Sequence, residues 1–539
     1  MNSVACALVA LLAGGAIGPR HVQTTIQDDA SLLYRPPAAV ARSIAQMAAL
    51  GADNVRLTAG WSVLTLGTRD RSKPGPPFEA RDSRTYPRQG FARLDTAVRD
   101  ARAAGLEVQI DIAFWAPRWA VAAPSAEPGR QRIAPDPTEF GRFAEAVARR
   151  YDGRFEDPEH AGRMLPAVRL YTTWNEPNNP DFLQPQWTRD GGDGPWRPAS
   201  PHVYRAMHDA AYDAIKRVDR RNRVLIGGTA ATGSDEGGRG GIRPLRFLRT
   251  LACVDDRLEP LAVTECRGFR PLRADGYAHH PYSLRRPPTA SDPEPDDVRL
   301  ADGARLTALL HELHARGRLE DDLEVYDVEY GYESRPPDPY ARFDLVEQAR
   351  FLGTASFLAW AAPGTRMLGQ FLLRDLEPGG SGGRPGTREY WNELQSGLLF
   401  TDGRAKPAAA AFKLPFHAQA ATIAGRQVVL VFGQVRGEEP WQTVRVERHD
   451  PRTGAWLPVQ TAGATCGANG ADFLTDDSGT FLRTAPFEGP AGYRMTWVDP
   501  LGREVAGIET PVGERPRPLP ALPEQPALPA VGAGPRPRR

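Results

Sequence analysis

The feature that most constrains this chain is a regular alternation between about residues 22 and 416, where short apolar runs are followed by longer amphipathic stretches. Short β-rich runs predict strands, and amphipathic stretches at helical spacing predict helices. Eight strands are predicted, at residues 22–27, 54–57, 107–113, 168–173, 223–227, 276–279, 324–328 and 367–372. The clearest helical stretches are residues 38–50, 90–104, 137–150, 201–218, 305–316 and 345–361. This pattern predicts an α/β protein built on a closed (β/α)8 barrel.

An open, doubly wound sheet is the alternative for such a pattern, and it normally has a glycine-rich phosphate turn after its first strand. Here that turn reads Q-D-D-A-S at residues 27–31, which favours the closed barrel. Most of the long polar loops follow predicted strands, on the face where barrel active sites are built.

The chain divides into four predicted parts. Residues 1–21 are predicted to be a signal peptide or N-terminal anchor, because residues 1–18 are apolar, although the usual basic start is missing. Residues 22–416 form the barrel. Residues 417–510 alternate apolar and polar positions between turns, which predicts a small β-sandwich. Residues 511–539 are Pro-rich and predicted to be disordered.

Charge and cysteine content exclude several classes of function. The 67 basic and 66 acidic side chains nearly cancel, so neither nucleic acid nor an anionic membrane is an expected partner. No run after the N-terminal segment is apolar enough for a membrane span. A secreted or cell-envelope location is expected, or a cytoplasmic one if residues 1–21 are not a signal. None of the four cysteines has C-x-x-C spacing, which disfavours structural zinc; Cys253 and Cys266 either pair or remain buried thiols.

The strongest chemical signal is the string A-V-R-L-Y-T-T-W-N-E-P-N-N at residues 167–179, in which a buried strand runs into Glu176. Cleavage of a glycosidic bond requires one carboxylic acid to protonate the leaving oxygen and a second carboxylate across the anomeric carbon. Glu176 is therefore predicted to be the general acid/base, with Asn175 and Trp174 beside it as sugar contacts. The alternative is a strand-end salt bridge with Trp174 in the core.

The second signal is L-E-V-Y-D-V-E-Y-G-Y-E-S at residues 323–334, where another buried strand ends in Glu329. This glutamate is predicted to be the nucleophile. Asp327 and Glu333 compete for the role. Strand alternation would place Asp327 on the face of Glu329, one layer deeper in the barrel, and Glu333 lies beyond the strand end.

Together the two motifs resemble the clan A glycoside hydrolases, in which an Asn-Glu acid/base ends the fourth barrel strand and a nucleophilic Glu ends the seventh. Glu176 and Glu329 end the fourth and seventh predicted strands, and the resemblance covers about residues 22–416. The chain looks most similar to family 39 and related bacterial glycosidases, on the W-N-E-P-N string, the Asp28-Asp29 pair, the H-P-Y triplet and the trailing β-domain. The resemblance implies a retaining hydrolase of an oligo- or polysaccharide, acting by double displacement through a glycosyl-enzyme, with carboxyls about 5–5.5 Å apart.

Three further residues follow from the same resemblance. Arg56, in N-V-R-L-T-A-G-W, lies where the clan has an arginine near the nucleophile. His280 and Tyr282 lie in D-G-Y-A-H-H-P-Y, and in the clan a tyrosine at such a position hydrogen-bonds the nucleophile.

Aromatic residues are the remaining candidates for sugar binding. Trp115 and Trp119, in A-F-W-A-P-R-W, are predicted to stack on sugar rings, although core packing is the alternative for any single tryptophan. The eighth strand, M-L-G-Q-F-L-L-R-D, lacks the tryptophan that many clan members carry. Gln370 or Phe371 takes its place, which leaves the identity of the sugar open.

Two alternatives to a glycosidase stand beside this interpretation. No metal or cofactor is expected. A metal-dependent hydrolase would use His279 and His280 with Asp28 or Asp29, but adjacent residues of a strand point to opposite faces. A catalytically silent carbohydrate-binding or scaffold protein would retain the barrel, and the presence of both glutamates argues against it. A carbohydrate is the expected partner in either case.

Overall fold

The computed structural model describes residues 21–65, 72–127, 129–189, 191, 193–234, 237–238, 240–380, 382–392, 394–462 and 469–517. The predicted signal segment lies outside the described residues up to residue 20, and the predicted disordered tail lies outside them beyond residue 517. Within the described part of the chain, no helix is long and apolar enough to cross a membrane.

Eight strands close into a parallel barrel in chain order, with β1 hydrogen-bonded to both β2 and β8. The strands are β1 (Gln23–Gln27), β2 (Asn54–Gly60), β3 (Glu107–Ala113), β4 (Leu170–Thr173), β5 (Arg223–Ala230), β6 (Gly276–His280), β7 (Val325–Asp327) and β8 (Thr365–Phe371). Each is followed by one main helix: α1 (Pro37–Ala49), α2 (Arg88–Ala103), α3 (Pro137–Arg150), α4 (Ser200–Val218), α5 (Pro244–Leu251), α6 (Gly303–Ala315), α7 (Leu345–Ala361) and α8 (Pro407–Lys413). The predicted (β/α)8 barrel is confirmed.

Short elements decorate the connections that follow the strands. These are the helices Asp29–Leu32 and Trp61–Thr65 and the paired strands Val121–Ala123 with Ile133–Pro135, Trp187–Thr188 with Arg197–Pro198, and Ser334–Arg335 with Phe343–Asp344. They enlarge the face of the barrel at the carboxyl ends of the strands.

The two faces of each strand carry different kinds of side chain. On β2, Val55 and Leu57 are buried in the apolar layer that includes Leu94 and Val98 of α2. Arg56 between them points into the barrel, since its guanidinium reaches a residue that follows β7. This alternation builds an apolar shell between strands and helices and leaves polar side chains along the barrel axis.

The chain after the barrel forms two antiparallel sheets. The strands are β9 (Phe416–Ile423), β10 (Arg426–Gln434), β11 (Thr443–His449), β12 (Trp456–Pro458), β13 (Thr461–Ala462), β14 (Asn469–Gly470), β15 (Asp472–Leu474), β16 (Thr480–Pro486), β17 (Ala491–Val498), β18 (Glu504–Ala506) and β19 (Thr510–Val512). One sheet is built on β9, β10 and β16, and the other on β11 and β17. Phe432 packs against Phe357 and Trp360 of α7, so the sheets contact the barrel directly. The boundary near residue 416 remains a prediction.

Cys253 and Cys266, whose pairing the sequence left open, are joined by a disulfide that closes the loop after α5. His202 lies near the two sulfurs. Among the residues that the structure describes, no other three His, Cys, Asp or Glu ligand atoms all lie within 4.8 Å of one another. Because the sulfurs are bonded to each other, this cluster does not offer thiolates to a metal ion.

A buried ion pair ties the loops after β7 and β8 to the last helix. Lys406 Nζ lies 2.7 Å from Asp375 Oδ1, and both side chains are 0% exposed. The same ammonium donates to Ser334 Oγ and to the Gln395 carbonyl. Removing one partner leaves the other charge buried, so Lys406→Met should lower the free energy of unfolding by about 3–5 kcal/mol.

Chemical denaturation of the wild type and of Lys406→Met measures this loss in the free energy of unfolding. The matched control is Lys73→Met, because Lys73 pairs with Glu139 at the surface. Its loss should stay below about 1 kcal/mol. Equal effects of the two substitutions would contradict the structural role given to Lys406.

Candidate active site

Glu176 stands on a sharp turn at the carboxyl end of β4. Trp174 and Glu176 have positive φ angles of 68° and 38°. Such angles cost non-glycine residues on the order of 1–3 kcal/mol and concentrate at functional sites. The Glu176 backbone N–H donates to the Gly228 carbonyl at 2.9 Å, which fixes the turn against β5. The turn leaves the Glu176 carboxyl 14% exposed at the barrel mouth.

Both oxygens of Glu176 have partners from the protein. His280 Nδ1 lies 3.0 Å from Oε1, and Asn179 Nδ2 donates to Oε2 at 2.7 Å. Asn179 belongs to the same W-N-E-P-N-N string as Glu176. The string therefore carries both the carboxyl and the amide that orients it.

Glu329 follows β7 and is 10% exposed. Arg56 Nη1 donates to its Oε1 at 2.5 Å, and the Tyr282 hydroxyl donates to its Oε2 at 3.4 Å. Burial, followed by the charges of Glu329 and Glu176, raises the pKa of Tyr282 well above its ordinary value. Tyr282 therefore keeps its proton and remains a donor to Glu329.

The two carboxylates converge on one ring nitrogen. His280 Nδ1 lies 3.0 Å from Glu176 Oε1 and 3.5 Å from Glu329 Oε2. These two oxygens are consequently no more than about 6.5 Å apart, which is the lower edge of the spacing of inverting glycosidases. Two carboxyls from opposite parts of the barrel thus face one small volume at its mouth.

A third carboxylate anchors the arginine. The Arg56 side chain is fully buried, with Nη2 3.0 Å from Asp111 Oδ2, and its Nη1 also donates to Gln27. Burial raises the pKa of Asp111 to about 6, although Arg56 and the Thr172 hydroxyl act to lower it. Sequence reasoning missed Asp111; its signal was an acidic residue within the apolar strand E-V-Q-I-D-I-A.

Asn175 remains available for contact with a ligand, whereas the Arg130 guanidinium lies 4.8 Å from the centre of the Trp115 ring and the Trp115 indole N–H donates to the Asp181 carbonyl. The Asn175 residue is 5% exposed, and its side-chain amide makes no hydrogen bond with any residue that the structure describes. Trp115 is half-buried, stacks against Phe182, and lines a cavity of ≈ 270 Å³ together with Asp29. These positions fit the predicted roles, which stay predictions.

The structure contradicts the predicted contact of Trp174 with the sugar. It is 0% exposed, its indole N–H donates to the Phe182 carbonyl at 3.2 Å, and its ring meets Phe140 edge-on. A ring enclosed in this way cannot contact a sugar. Trp174 is a core residue that supports the turn carrying Glu176.

Two further residues that were predicted to contact the sugar, Trp119 and Gln370, make contacts within the protein. The Trp119 ring packs edge-on against Trp61 and Phe78, with the Lys73 ammonium over it. Gln370 is 2% exposed, and its amide group donates to the Leu372 and Ser396 carbonyls. The Trp119 ring has the surroundings of a packed residue, whereas the Gln370 Oε1 has no hydrogen-bond partner in the described structure, and its predicted role stays a prediction.

The two rivals of Glu329 lie elsewhere. Strand β7 ends at Asp327, so strand alternation does not extend to Glu329 as the prediction assumed. Asp327 pairs in register with His279, whose ring contacts Thr229 and the Val298 carbonyl rather than the two carboxylates. Glu333 lines a separate cavity. Of the three candidates, only Glu329 contacts the His280 ring nitrogen that also contacts Glu176.

Asp327 provides a test of the burial in this region. Burial raises its pKa to about 8. When folding raises the pKa of a carboxyl, the free energy of unfolding of the protein falls as pH rises from the unfolded pKa, near 4, to the folded pKa. We expect Asp327→Asn to be more stable than the wild type at pH 8, on the order of 5 kcal/mol, and nearly equal to it at pH 4.

Urea denaturation at the two pH values measures the difference. Asp321→Asn is the matched control, because Asp321 is an exposed aspartate that precedes the same strand. It should leave the pH dependence of unfolding unchanged. The same stability difference at both pH values would contradict a buried, protonated Asp327.

Comparisons with known proteins give weak similarities. No protein-family model matches the chain, and no curated protein matches it by sequence. Among solved structures, GH5_18 from Streptomyces cattleya in complex with GlcNAc is 16% identical, with 73% of this chain and 79% of that chain covered and a TM-score of 0.44.

Two more solved structures are similar over a longer stretch. A glucosidase from Croceicoccus marinus is 15% identical, with 88% of this chain and 97% of that chain covered and a TM-score of 0.44. An endo-beta-1,4-mannanase from Thermotoga petrophila is 13% identical, with 93% and 100% covered and a TM-score of 0.40. None of the three names family 39, so that resemblance stays a prediction.

Proposed function

We propose that this chain is a retaining glycoside hydrolase that cleaves O-glycosidic bonds of an oligo- or polysaccharide. The observation that carries the proposal is the meeting of Glu176 and Glu329 on either side of His280 Nδ1. Two carboxyls that face each other at the mouth of a barrel are the minimum that glycoside hydrolysis requires.

The environments of the two glutamates differ in a way that suggests their roles. Glu329 accepts hydrogen bonds from a buried cation, Arg56, and from Tyr282, and these favour a negatively charged carboxylate. Such a group is suited to attack on the anomeric carbon. Glu176 has neutral Asn179 on one oxygen and His280 on the other, so it can carry a proton to and from the site.

The proposed reaction has two steps. In the first, Glu329 attacks the anomeric carbon, the bond to the leaving oxygen breaks, and Glu176 gives that oxygen a proton. In the second, Glu176 takes a proton from water, the resulting hydroxide attacks the anomeric carbon, and the ester bond to Glu329 breaks. Two inversions return the original anomeric configuration.

Retention is the finer part of the proposal, and spacing supports it. Retaining enzymes hold their carboxyls about 5–5.5 Å apart, whereas inverting enzymes need about 6.5–9.5 Å to admit a water between them. The shared contact with His280 leaves little room for that water. Membership of family 39 and secretion are proposed with it, on the sequence motifs and on residues 1–21.

A panel of β-linked glycans and aryl glycosides tests the function, with the anomeric configuration of the first product followed by proton NMR. The proposal expects turnover of at least one glycan with retained configuration. A product of inverted configuration would contradict the mechanism. Binding of glycans without any turnover would instead favour a catalytically silent carbohydrate-binding protein on the same barrel.

A further inference from the structure

A second cavity opens beside Glu329, between the loops that follow β6, β7 and β8. Its volume is ≈ 250 Å³. Tyr282 and Gly331 are among its lining residues, and Tyr282 is the residue whose hydroxyl reaches Glu329. Sites for drug-sized molecules occupy roughly 300–1,000 Å³, so this cavity fits one sugar unit rather than a chain. A sugar bound there would be a neighbour of the unit at the carboxylates.

Three arginines line this cavity without a carboxylate partner. Arg285, Arg342 and Arg388 are exposed, and none forms an ion pair with a residue that the structure describes. Arg285 donates weakly to the Tyr340 carbonyl, and the Arg388 guanidinium lies 5.1 Å from the centre of the Tyr340 ring. Two guanidinium groups are therefore held around one tyrosine with no counter-charge paired to them.

Neither acidic residue of the cavity forms an ion pair with these arginines, although the charge of Arg285 acts on Glu333. Asp338 accepts a hydrogen bond from the Tyr340 backbone N–H at 2.7 Å. Glu333 makes no hydrogen bond with a described residue, and burial, followed by the charge of Asp338, raises its pKa to about 7, although the charge of Arg285 acts to lower it. Near neutral pH, Glu333 is protonated for part of the time, and the walls carry a net positive charge.

Other groups in the cavity suit a carbohydrate. Ser396 is buried, and its hydroxyl has no hydrogen-bond partner in the described structure, although it lines the cavity. Trp391 is half-buried and also lines it. A buried hydroxyl without a partner is costly and favours a ligand that supplies one. An aromatic side chain suits the apolar face of a pyranose.

We propose that this cavity is a subsite for a sugar unit that bears a carboxylate, such as a hexuronic acid, adjacent to the unit attacked by Glu329. The planar guanidinium fork of arginine matches a carboxylate in two parallel hydrogen bonds. Arg285 and Arg388 would bind the carboxylate, and Ser396 and Glu333 would bind ring hydroxyls. This inference rests on the proposed function, because it names the class of substrate for the same site.

Binding to the full chain carrying Glu329→Gln tests the inference without turnover. The probes are methyl β-D-glucuronide, methyl β-D-glucoside and sodium sulfate, with dissociation constants measured by calorimetry at low salt. We expect the glucuronide to bind roughly tenfold or more tightly than the glucoside, because hydrogen bonds to a charged group are about twice as strong as neutral ones. Adding Arg285→Gln or Arg388→Gln should reduce this preference.

The matched control is Arg426→Gln, an exposed arginine on the sheet that follows the barrel, which should leave the preference unchanged. Equal binding of the two sugars would overturn the inference, as would a preference that survives both cavity substitutions. Sulfate that binds as tightly as the glucuronide would reduce the site to an anion site and overturn it as well.

The inference and the proposed function can fail separately. Hydrolysis of neutral glycans by the wild type, with equal binding of both sugar probes, would overturn the subsite and leave the hydrolase standing. A preference for the uronide that depends on the arginines would support the subsite even where no glycan is hydrolysed, and that second result would count against the hydrolase.

Discussion

Glu329→Gln should abolish glycan hydrolysis, with kcat reduced on the order of 10⁴-fold or more. The amide keeps the size of the side chain but removes the charge that attacks the anomeric carbon, so no glycosyl-enzyme forms. Its contacts with Arg56 and Tyr282 change, whereas the fold depends on the barrel core. Steady-state kinetics on the best glycan of the panel, with circular dichroism to confirm folding, measures the effect.

The matched control is Glu324→Gln, which makes the same chemical change at the residue directly before β7. Glu324 pairs with Arg366 near the surface, at the end of the barrel away from the two carboxylates. Its kcat should stay within about twofold of the wild-type value, because it touches neither the acid nor the nucleophile. Activity that survives in Glu329→Gln at the level of this control would remove Glu329 from the mechanism.

Glu176→Ala should have the second largest effect, and the size should depend on the leaving group. Hydrolysis of unactivated glycans should fall about 10²–10⁴-fold, because the leaving oxygen no longer receives a proton. A dinitrophenyl glycoside needs no such proton, so its first step should be much less affected. The second step lacks its base, and the glycosyl-enzyme should accumulate.

Added azide distinguishes this role from a structural one. As a small anionic nucleophile, azide needs no general base, so it should restore turnover and give a glycosyl azide with the configuration of the substrate. The control is Glu107→Ala, at the amino end of β3 and away from the mouth of the barrel. Its activity should respond neither to azide nor to the leaving group. A uniform loss on all substrates with no response to azide would rule out acid/base catalysis by Glu176.

Much of the barrel is predictable from the sequence, because buried parallel strands read as short apolar runs. All eight barrel strands lie within a few residues of their predicted positions. Helices α5 and α8 were expected from the barrel pattern but were given no bounds: α5 has only eight residues and α8 seven, which is about two turns. Two turns are too few for a helical period to be recognised.

The site was predictable where chemistry depends on position at a strand end. Glu176, Glu329, Arg56, His280 and Tyr282 lie together, as the motifs indicated. The contact between Arg56 and Asp111 was not predictable, because it depends on the register of the neighbouring strands β2 and β3. Sequence alone does not state that register.

The predicted sugar contact of Trp174 was wrong because the sequence does not show in which direction a side chain points after a strand has ended. Trp174 sits directly before the catalytic candidates, but its positive φ turns the chain, and its ring is buried against Phe140. Gln370 occupies the predicted strand, yet its amide satisfies the Leu372 and Ser396 carbonyls. Its Oε1 atom is buried without a hydrogen-bond partner in the described structure, so the predicted contact of Gln370 with the sugar stays a prediction.

In the proposed mechanism, Glu329 forms a covalent bond with the sugar. Incubation of the wild-type protein with a set of dinitrophenyl 2-deoxy-2-fluoroglycosides should trap this intermediate, since the fluorine slows both steps and the activated leaving group keeps the first one faster. Intact mass spectrometry should show one added fluoroglycosyl group, and peptide mapping should place it on Glu329. Label on another residue, or inverted product from a glycan that is turned over without any label, would contradict the account.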